Sequence, residues 1–257
     1  MKARLLGAGT SAGVPRLGRD GPDWGACDPA NPRNRRTRPS ILVETATTRI
    51  LVDSSPDLRA QLLAAGAPRI DAVLWTHDHA DHCHGIDDLR QLFLNQGAPL
   101  RCHARPECWG RLTNRFAYAF QGNGGYPPLL VGQPLVGPIR IGDIDVRFVD
   151  MPHGGITSAG YLFSAHGKSI GYATDFQQFT GAMIAHFKRC DLFIVDALRE
   201  KPHPTHPHLA MTLDGIARCE ARRAVLMHMD GSMDYDRIAA MLPDGVEPGY
   251  DQMEVTA

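Results

Sequence analysis

The sequence predicts an α/β fold in which sheets are covered by helices. Two patterns carry that reading. Short apolar runs bounded by turn residues recur along the chain, and stretches of helical periodicity lie between them. A third observation sets the scale: 257 residues, 43% of them hydrophobic, are enough for one large α/β core or two small ones. No low-complexity segment and no linker interrupts the chain, so a single domain spanning 1–257 is expected.

In chain order, Ala3–Leu6 is the first short strand. Gly18 to Pro39, rich in Gly, Pro, Asn and Arg, reads as a long functional loop. Ile41–Glu44 and Ile50–Asp53 follow as strands and Asp57–Ala65 as a helix, then Ala72–Thr76 as a strand. Helical periodicity returns at Gly85–Phe93 and Pro106–Tyr118. Gln121 to Pro138 is Gly/Pro-rich and is taken as a surface excursion near the site. The second half offers strands at Ile144–Val149, Ala159–Ser164, Ser169–Thr174, Leu192–Asp196 and Ala224–His228. Its helices are expected at Gly181–Phe187, Leu209–Glu220 and Asp236–Leu242.

Composition narrows the class. With 27 basic against 28 acidic residues, a general attraction to duplex nucleic acid is not expected. Arg33, Arg35, Arg36 and Arg38 make one local basic run, equally readable as a solvated loop. The six cysteines form no C-x-x-C pair, the opening Met1-Lys2-Ala3-Arg4 leads into only a few apolar residues, and no run has membrane-spanning length. A reduced, cytoplasmic protein without membrane contact is expected.

The chemistry concentrates in T-H-D-H-A-D-H, Thr76 to His82, directly after the apolar run Ala72-Val73-Leu74-Trp75. His77, His79, Asp81 and His82 are the nitrogen and oxygen donors that zinc, iron or manganese accept. Four donors from one loop cannot all reach one ion without strain, so two ions sharing the loop are expected, each needing further ligands. His153, Asp175 and His228 stand where apolar strands emerge, the place where α/β proteins put their chemistry. Taken singly, a histidine after a strand is most often just a satisfied polar group, and Asp175 could cap a helix or form a turn. Their joint occurrence downstream of the motif favours ligation. His103, His166 and His186 are given no role.

The order H-x-H-x-D-H, then His, Asp and His, resembles the metallo-β-lactamase superfamily, from Leu5 to His228. The resemblance implies an αββα sandwich, two mixed sheets flanked by helices, with two divalent ions (Zn²⁺, Mn²⁺ or Fe²⁺) at one edge. It implies that His77, His79 and His153 hold the first ion and Asp81, His82 and His228 the second. Asp175 would bridge both together with a water or hydroxide, and Asp53 would orient a ligand histidine from behind. Asp175 and His228 point to the phosphodiesterase branch. The runs Gly7–Pro15, Asn34–Ser40, Gly85–Arg90 and His203–His206 are similar to the PhnP-like phosphoribosyl 1,2-cyclic phosphate phosphodiesterases of phosphonate breakdown. That likeness implies a small-molecule phosphodiester as substrate and allows a homodimer. It makes His206, 22 residues before His228, the acid that protonates the leaving alkoxide, with His208 as the alternative; Asp81 is counted with His206 as catalytic. Arg90 and the Arg33–Arg38 run are candidates for a second phosphate, and the Gly7–Gly13 turn could offer backbone N–H groups to one.

One departure stands out. PhnP-like chains often bind a structural zinc through several cysteines in the Gly18–Asp28 region and a histidine three residues after the distal ligand. Here only Cys27 remains and position 231 is Gly, so no structural zinc is expected. Other readings stay open: a tRNase Z-like enzyme, a pyrroloquinoline quinone protein B-like member, thioester or β-lactam hydrolysis, and a metal-binding module without turnover.

Overall fold

The computed structural model describes residues 1–67 and 69–257. Its first half runs through β1 (Lys2–Gly7), a small hairpin of β2 (Arg16–Gly18) and β3 (Gly21–Asp23), β4 (Ser40–Glu44), β5 (Arg49–Val52), α1 (Leu58–Ala65) and β6 (Ala72–Trp75). Then come α2 (Ala80–Cys83), a 3₁₀ turn at Ile86–Asp88, α3 (Leu89–Gln96), β7 (Leu100–Ala104), α4 (Pro106–Arg115), α5 (Ala117–Gln121) and β8 (Leu130–Pro134). The second half contains β9 (Ile139–Ile141), β10 (Ile144–His153), β11 (Ile156–Ala165), β12 (Lys168–Ala173), α6 (Gly181–His186), β13 (Leu192–Asp196), α7 (Leu209–Cys219), β14 (Ala224–Met227), α8 (Tyr235–Ala239), β15 (Val246–Pro248) and β16 (Glu254–Thr256).

Among the described residues two seven-stranded sheets result, ordered β16-β1-β4-β5-β6-β7-β8 and β15-β14-β13-β12-β11-β10-β9. Each is antiparallel on one side and parallel on the other: β5 through β8 pair in parallel, as do β12 through β15. The strand period of two assigns each residue to a layer. Ile41, Val43, Ile50, Val52, Ala72 and Leu74 face inward and meet Ile144, Val146, Tyr161, Phe163, Ile170 and Ile194 of the opposite sheet. The alternate residues Leu42, Leu51, Val73 and Trp75 face outward under Leu58 of α1, Leu89 of α3 and Leu112 of α4. Val195 and Leu226 do the same on the other side, under Met183 of α6 and Ile216 of α7. Both faces of the central strands β4, β5, β6, β13 and β14 are therefore buried, which is why these strands read as continuous apolar runs. This is the expected αββα sandwich.

Some elements differ from expectation. The helix expected over Pro106–Tyr118 breaks at Phe116, where φ is −114° and ψ 38°, giving α4 and α5. Gln121–Pro138 is not only an excursion: Leu130–Pro134 inside it is an edge strand, in which Gly132 lets the backbone pass close to the Cys102 carbonyl. β7 lies behind alternating Leu100, Cys102 and Ala104, with the polar Arg101 and His103 between them. The Gly18–Pro39 loop contains β3 and a buried anchor, Arg36, whose guanidinium donates to the Met233 carbonyl at 2.7 Å and the Asn34 side chain at 3.3 Å. Among the described residues, no helix is long and apolar enough to cross a membrane.

Candidate metal centre

The parallel strands of both sheets end at one edge of the sandwich. The motif follows β6, and the short α2 turns directly after His79, which brings the His82 ring to 4.2 Å from that of His77 and Asp81 Oδ2 to 3.3 Å from His82 Nε2. His153 ends β10, Asp175 lies just beyond β12, and His228 follows β14. Asp53, Asp175 and His228 each adopt positive φ, 65°, 60° and 58°, in the first turn after a strand. This left-handed conformation is uncommon for residues other than glycine and swings each side chain off the strand direction.

The side chains expected from the sequence converge. His77, His79, His153 and Asp175 each present a donor atom within 4.8 Å of the others, and so do Asp81, His82, Asp175 and His228. Asp175 belongs to both sets. Its Oδ1 is 3.5 Å from His153 Nε2 and 3.9 Å from His77 Nε2; its Oδ2 is 3.1 Å from His82 Nε2 and 3.4 Å from His228 Nε2. Apart from His79, all of these residues are buried.

Hydrogen bonds behind the cluster fix which nitrogen faces inward. Asp53 Oδ2 lies 2.8 Å from His82 Nδ1, while the Asp53 carboxylate also accepts from the Thr76 amide and hydroxyl. His153 Nδ1 donates to the Thr205 carbonyl at 3.0 Å. Asp175 accepts at Oδ2 from the Thr174 hydroxyl at 2.7 Å, and its own amide donates to Asp196 Oδ2 at 3.0 Å.

The cluster's own side chains polarise one another strongly. Burial, reinforced by the neighbouring imidazoles of His82, His79 and His153, pushes His77 well below the usual histidine range. Burial alone would also lower His82 and His228, but the carboxylates around them outweigh it. His82 is carried well above its ordinary value, and His228 up to about 9. Against the effect of burial, the imidazoles hold Asp81 and Asp175 well below the carboxylate range. Asp53 moves the other way, pushed up by burial despite His82 and Thr76.

A divalent ion fits these residues. His77 Nε2, His82 Nε2 and His228 Nε2 are buried without a hydrogen-bond partner, which is costly unless a Lewis acid takes up the lone pair. The donors are imidazole nitrogen and carboxylate oxygen, suited to zinc, manganese or iron.

His206 joins the cluster from the loop after β13. Its ring stacks on His228 with centroids 4.9 Å apart, and its Nε2 is 3.8 Å from Asp175 Oδ1. Its Nδ1 is 2.9 Å from Asp196 Oδ2. Asp196 is fully buried at the end of β13, where the sequence predicts only a strand residue. Its signal was the same as that of Asp175, an acid closing an apolar strand. His208 immediately precedes α7 and is absent from these donor sets.

Other expectations are corrected. Arg90 is exposed, lies over the Tyr126 ring at 5.1 Å and borders the groove between α1 and α3; it has no contact with the cluster. The Arg33–Arg38 run is committed elsewhere: Arg33 to the Tyr235 and Tyr250 rings, Arg35 to Trp24, Arg36 to the loop anchor and Arg38 to Asp57. In the Gly7–Gly13 turn, the N–H groups of Ala8, Gly9, Thr10 and Gly13 are bonded to Asp251, Thr37, Met229 and Thr10. The Cys27 region is tied by backbone contacts and by Arg36, whose Nη1 lies 3.9 Å from the Cys27 sulfur. At Gly231 a side chain would meet the Trp24 carbonyl at 3.0 Å, while the Gly231 carbonyl accepts from the Ala26 amide at 2.6 Å.

Comparison with known proteins gives a consistent picture. Residues 48–229 match the Beta-lactamase superfamily domain. An octanoyltransferase of Porphyromonas gingivalis is 32% identical over 265 residues, covering 99% of this chain and 51% of that protein. A ribonuclease Z of Bradyrhizobium sp. is 45% identical over 130 residues, 46% of this chain and 43% of that one. The chain thus spans about half the length, or less, of these relatives. Among solved structures, a diphosphatase from the PhnP family superposes with a TM-score of 0.89 at 30% identity, covering 100% of this chain and 97% of the other. Zn²⁺-bound PqqB from Methylobacterium extorquens, at 19% identity and TM-score 0.80 with full coverage of both chains, shares the fold.

Proposed function

The chain belongs to the metallo-β-lactamase superfamily, in its PhnP branch, and is a metallo-hydrolase; from that premise we propose that it hydrolyses a small cyclic phosphodiester such as phosphoribosyl 1,2-cyclic phosphate. In this reading His77, His79 and His153 would hold one divalent ion and Asp81, His82 and His228 a second, with Asp175 available to either set. Two ions bound there supply the positive charge that lowers the pKa of a water and neutralises phosphate oxygens as charge builds at phosphorus. The protein's own residues do the rest. Asp53 keeps the His82 ring in place, Asp81 places its Oδ2 3.3 Å from His82 Nε2 and 3.6 Å from His228 Nε2, and His206 delivers a proton from Nε2 to the departing alkoxide. Such acid catalysis contributes about 10²–10⁴-fold.

The observation that carries this reading is the Asp196–His206 hydrogen bond at 2.9 Å, beside the double donor set. A carboxylate on Nδ1 orients the ring so that Nε2 looks toward Asp175, the arrangement needed to protonate a poor leaving group. The near-neutral net charge of −1 supports a small substrate over RNA. A second reading, thioester chemistry, is favoured only by the relative named octanoyltransferase, of which this chain matches half.

The test is turnover with added Mn²⁺ or Zn²⁺ on four substrates: bis(p-nitrophenyl) phosphate, phosphoribosyl 1,2-cyclic phosphate, a precursor tRNA and an octanoyl thioester. The cyclic ester is expected to give the highest kcat/KM. Faster turnover of the RNA or the thioester would overturn the proposal.

A further inference from the structure

Asp78 occupies the middle of His77-Asp78-His79, between two of the residues that would hold the first ion. It is only 6% exposed, yet it belongs to none of the donor sets. Its carboxylate is engaged by α4 instead. Arg111 Nε donates to Asp78 Oδ1 at 2.6 Å and Arg115 Nη2 to Oδ2 at 2.9 Å. Arg115 Nη1 also donates to the Asp78 backbone carbonyl at 2.6 Å, the same carbonyl that the Cys83 thiol reaches at 3.4 Å. Arg111 and Arg115 are four residues apart, so they share one face of the helix. That helix is anchored by the buried Cys108 and Leu112, and it breaks at Phe116, whose ring meets that of His84 at 5.7 Å. The end of α4 therefore grips the metal loop both before and after α2.

The ligand histidines differ in what backs them. His77 Nδ1 lies 3.0 Å from the Thr76 hydroxyl, His82 Nδ1 2.8 Å from Asp53 and His153 Nδ1 3.0 Å from the Thr205 carbonyl. His228 lacks such a bond, but it is buried and stacks on both the His82 and His206 rings, with centroids 5.9 and 4.9 Å away. His79 is different. It is exposed, and among the described residues its ring bonds only to His153 inside the cluster, at 3.3 Å. Its placement falls to the backbone that carries it, and that backbone is held through Asp78.

We propose that Arg111 and Arg115 are positioning residues for the first ion: by clamping Asp78 they set the backbone from which His77 and His79 project. The inference rests on the two-ion reading and adds to it. Charge-assisted bonds from two guanidinium groups hold a nearly buried carboxylate in one orientation. A planar guanidinium that reaches both the side chain and the carbonyl of one residue fixes that residue in a way that a lysine ammonium does not.

The experiment titrates metal-depleted protein with Zn²⁺ against a chromophoric chelator. Wild type is expected to take up two ions. Arg115→Ala should weaken one of them by about 10–100-fold, the usual effect of losing a group that supports a ligand, and leave the other unchanged. In a His79→Ala background, where the first ion is already lost, it should do nothing further to the second. Arg115→Lys should recover only part of the affinity. Leu112→Ala, which removes packing from the same helix but none of the Asp78 bonds, should leave both ions bound as in wild type. Wild-type affinity for both ions in Arg115→Ala, or an equal weakening of both, would overturn the clamp. Should Arg115→Ala fail to fold, Arg111→Ala and the isosteric Asp78→Asn are judged by the same outcomes. If wild type takes up a single ion, the two-ion reading falls; the clamp then stands if His79→Ala and Arg115→Ala both weaken that ion, and is refuted if Arg115→Ala leaves it alone. No uptake by wild type refutes both.

Discussion

Replacing Asp196 with asparagine tests the proposed proton transfer at a residue that the motif does not contain. The substitution keeps the shape of a fully buried side chain whose Oδ2 serves both His206 Nδ1 at 2.9 Å and the Asp175 amide at 3.0 Å. It removes the charge from both bonds. A hydrogen bond to a charged group is worth about 1.5–3 kcal/mol, and each ~1.4 kcal/mol is tenfold in rate. The expected loss in kcat for phosphoribosyl 1,2-cyclic phosphate, whose leaving group is an alkoxide, is therefore about 10- to 150-fold. For bis(p-nitrophenyl) phosphate, whose leaving group departs without a proton, the loss should be only about two- to threefold. Both substrates are assayed at saturation with the metal content of each preparation measured. An equal loss on both, or wild-type turnover of the cyclic ester, would refute the role given to the Asp196–His206 pair.

Other outcomes follow from the same geometry. Asp175→Ala should abolish turnover of bis(p-nitrophenyl) phosphate and lower the metal content found by elemental analysis; retained turnover with two bound ions would refute its shared position. Wild type should hold two ions per chain, and a third would contradict the reading of Cys27 and Gly231. Arg36→Ala removes a buried guanidinium bonded to Met233 and Asn34. It should cost about 3 kcal/mol, lowering Tm by roughly 6–12 °C by calorimetry. Asp251, which accepts from Ala8 and Thr37, is raised by burial to about 6 despite those bonds. Because its folded pKa lies above the unfolded value of about 3.9, its contribution is full below pH ~4 and is lost as pH rises through 6. Relative to Asp251→Asn, wild type should lose about 1–3 kcal/mol between pH 4 and 6 in urea titrations; a constant difference would show that Asp251 does not titrate there.

Legibility in the sequence followed burial. The central strands are apolar on both faces, so Leu192–Asp196 was readable to the residue, and acids or histidines closing such strands marked the cluster. Edge strands gave less: β8 carries Gly132 and Pro134, and β15 and β16 are three residues long. Asp196 went unread because its role depends on a partner ten residues on, brought back by the Pro-rich loop. Arg90 and the Arg33–Arg38 run misled for a related reason. Their charge is visible in the sequence, but their engagement with Tyr126, Trp24 and Asp57 is not.

The positive φ angles of Asp53, Asp175 and His228 have a consequence for engineering. Each such backbone costs roughly 1 kcal/mol or more that glycine would not incur. At positions 53 and 175 that strain is held by buried hydrogen bonds to Thr76, His82 and Thr174, whose loss would cost about 1–3 kcal/mol for each stranded group, more than glycine would return. Selection for heat resistance alone has relief to gain at 228, where both ring nitrogens are buried without partners, and only a screen that also demands turnover would keep that side chain.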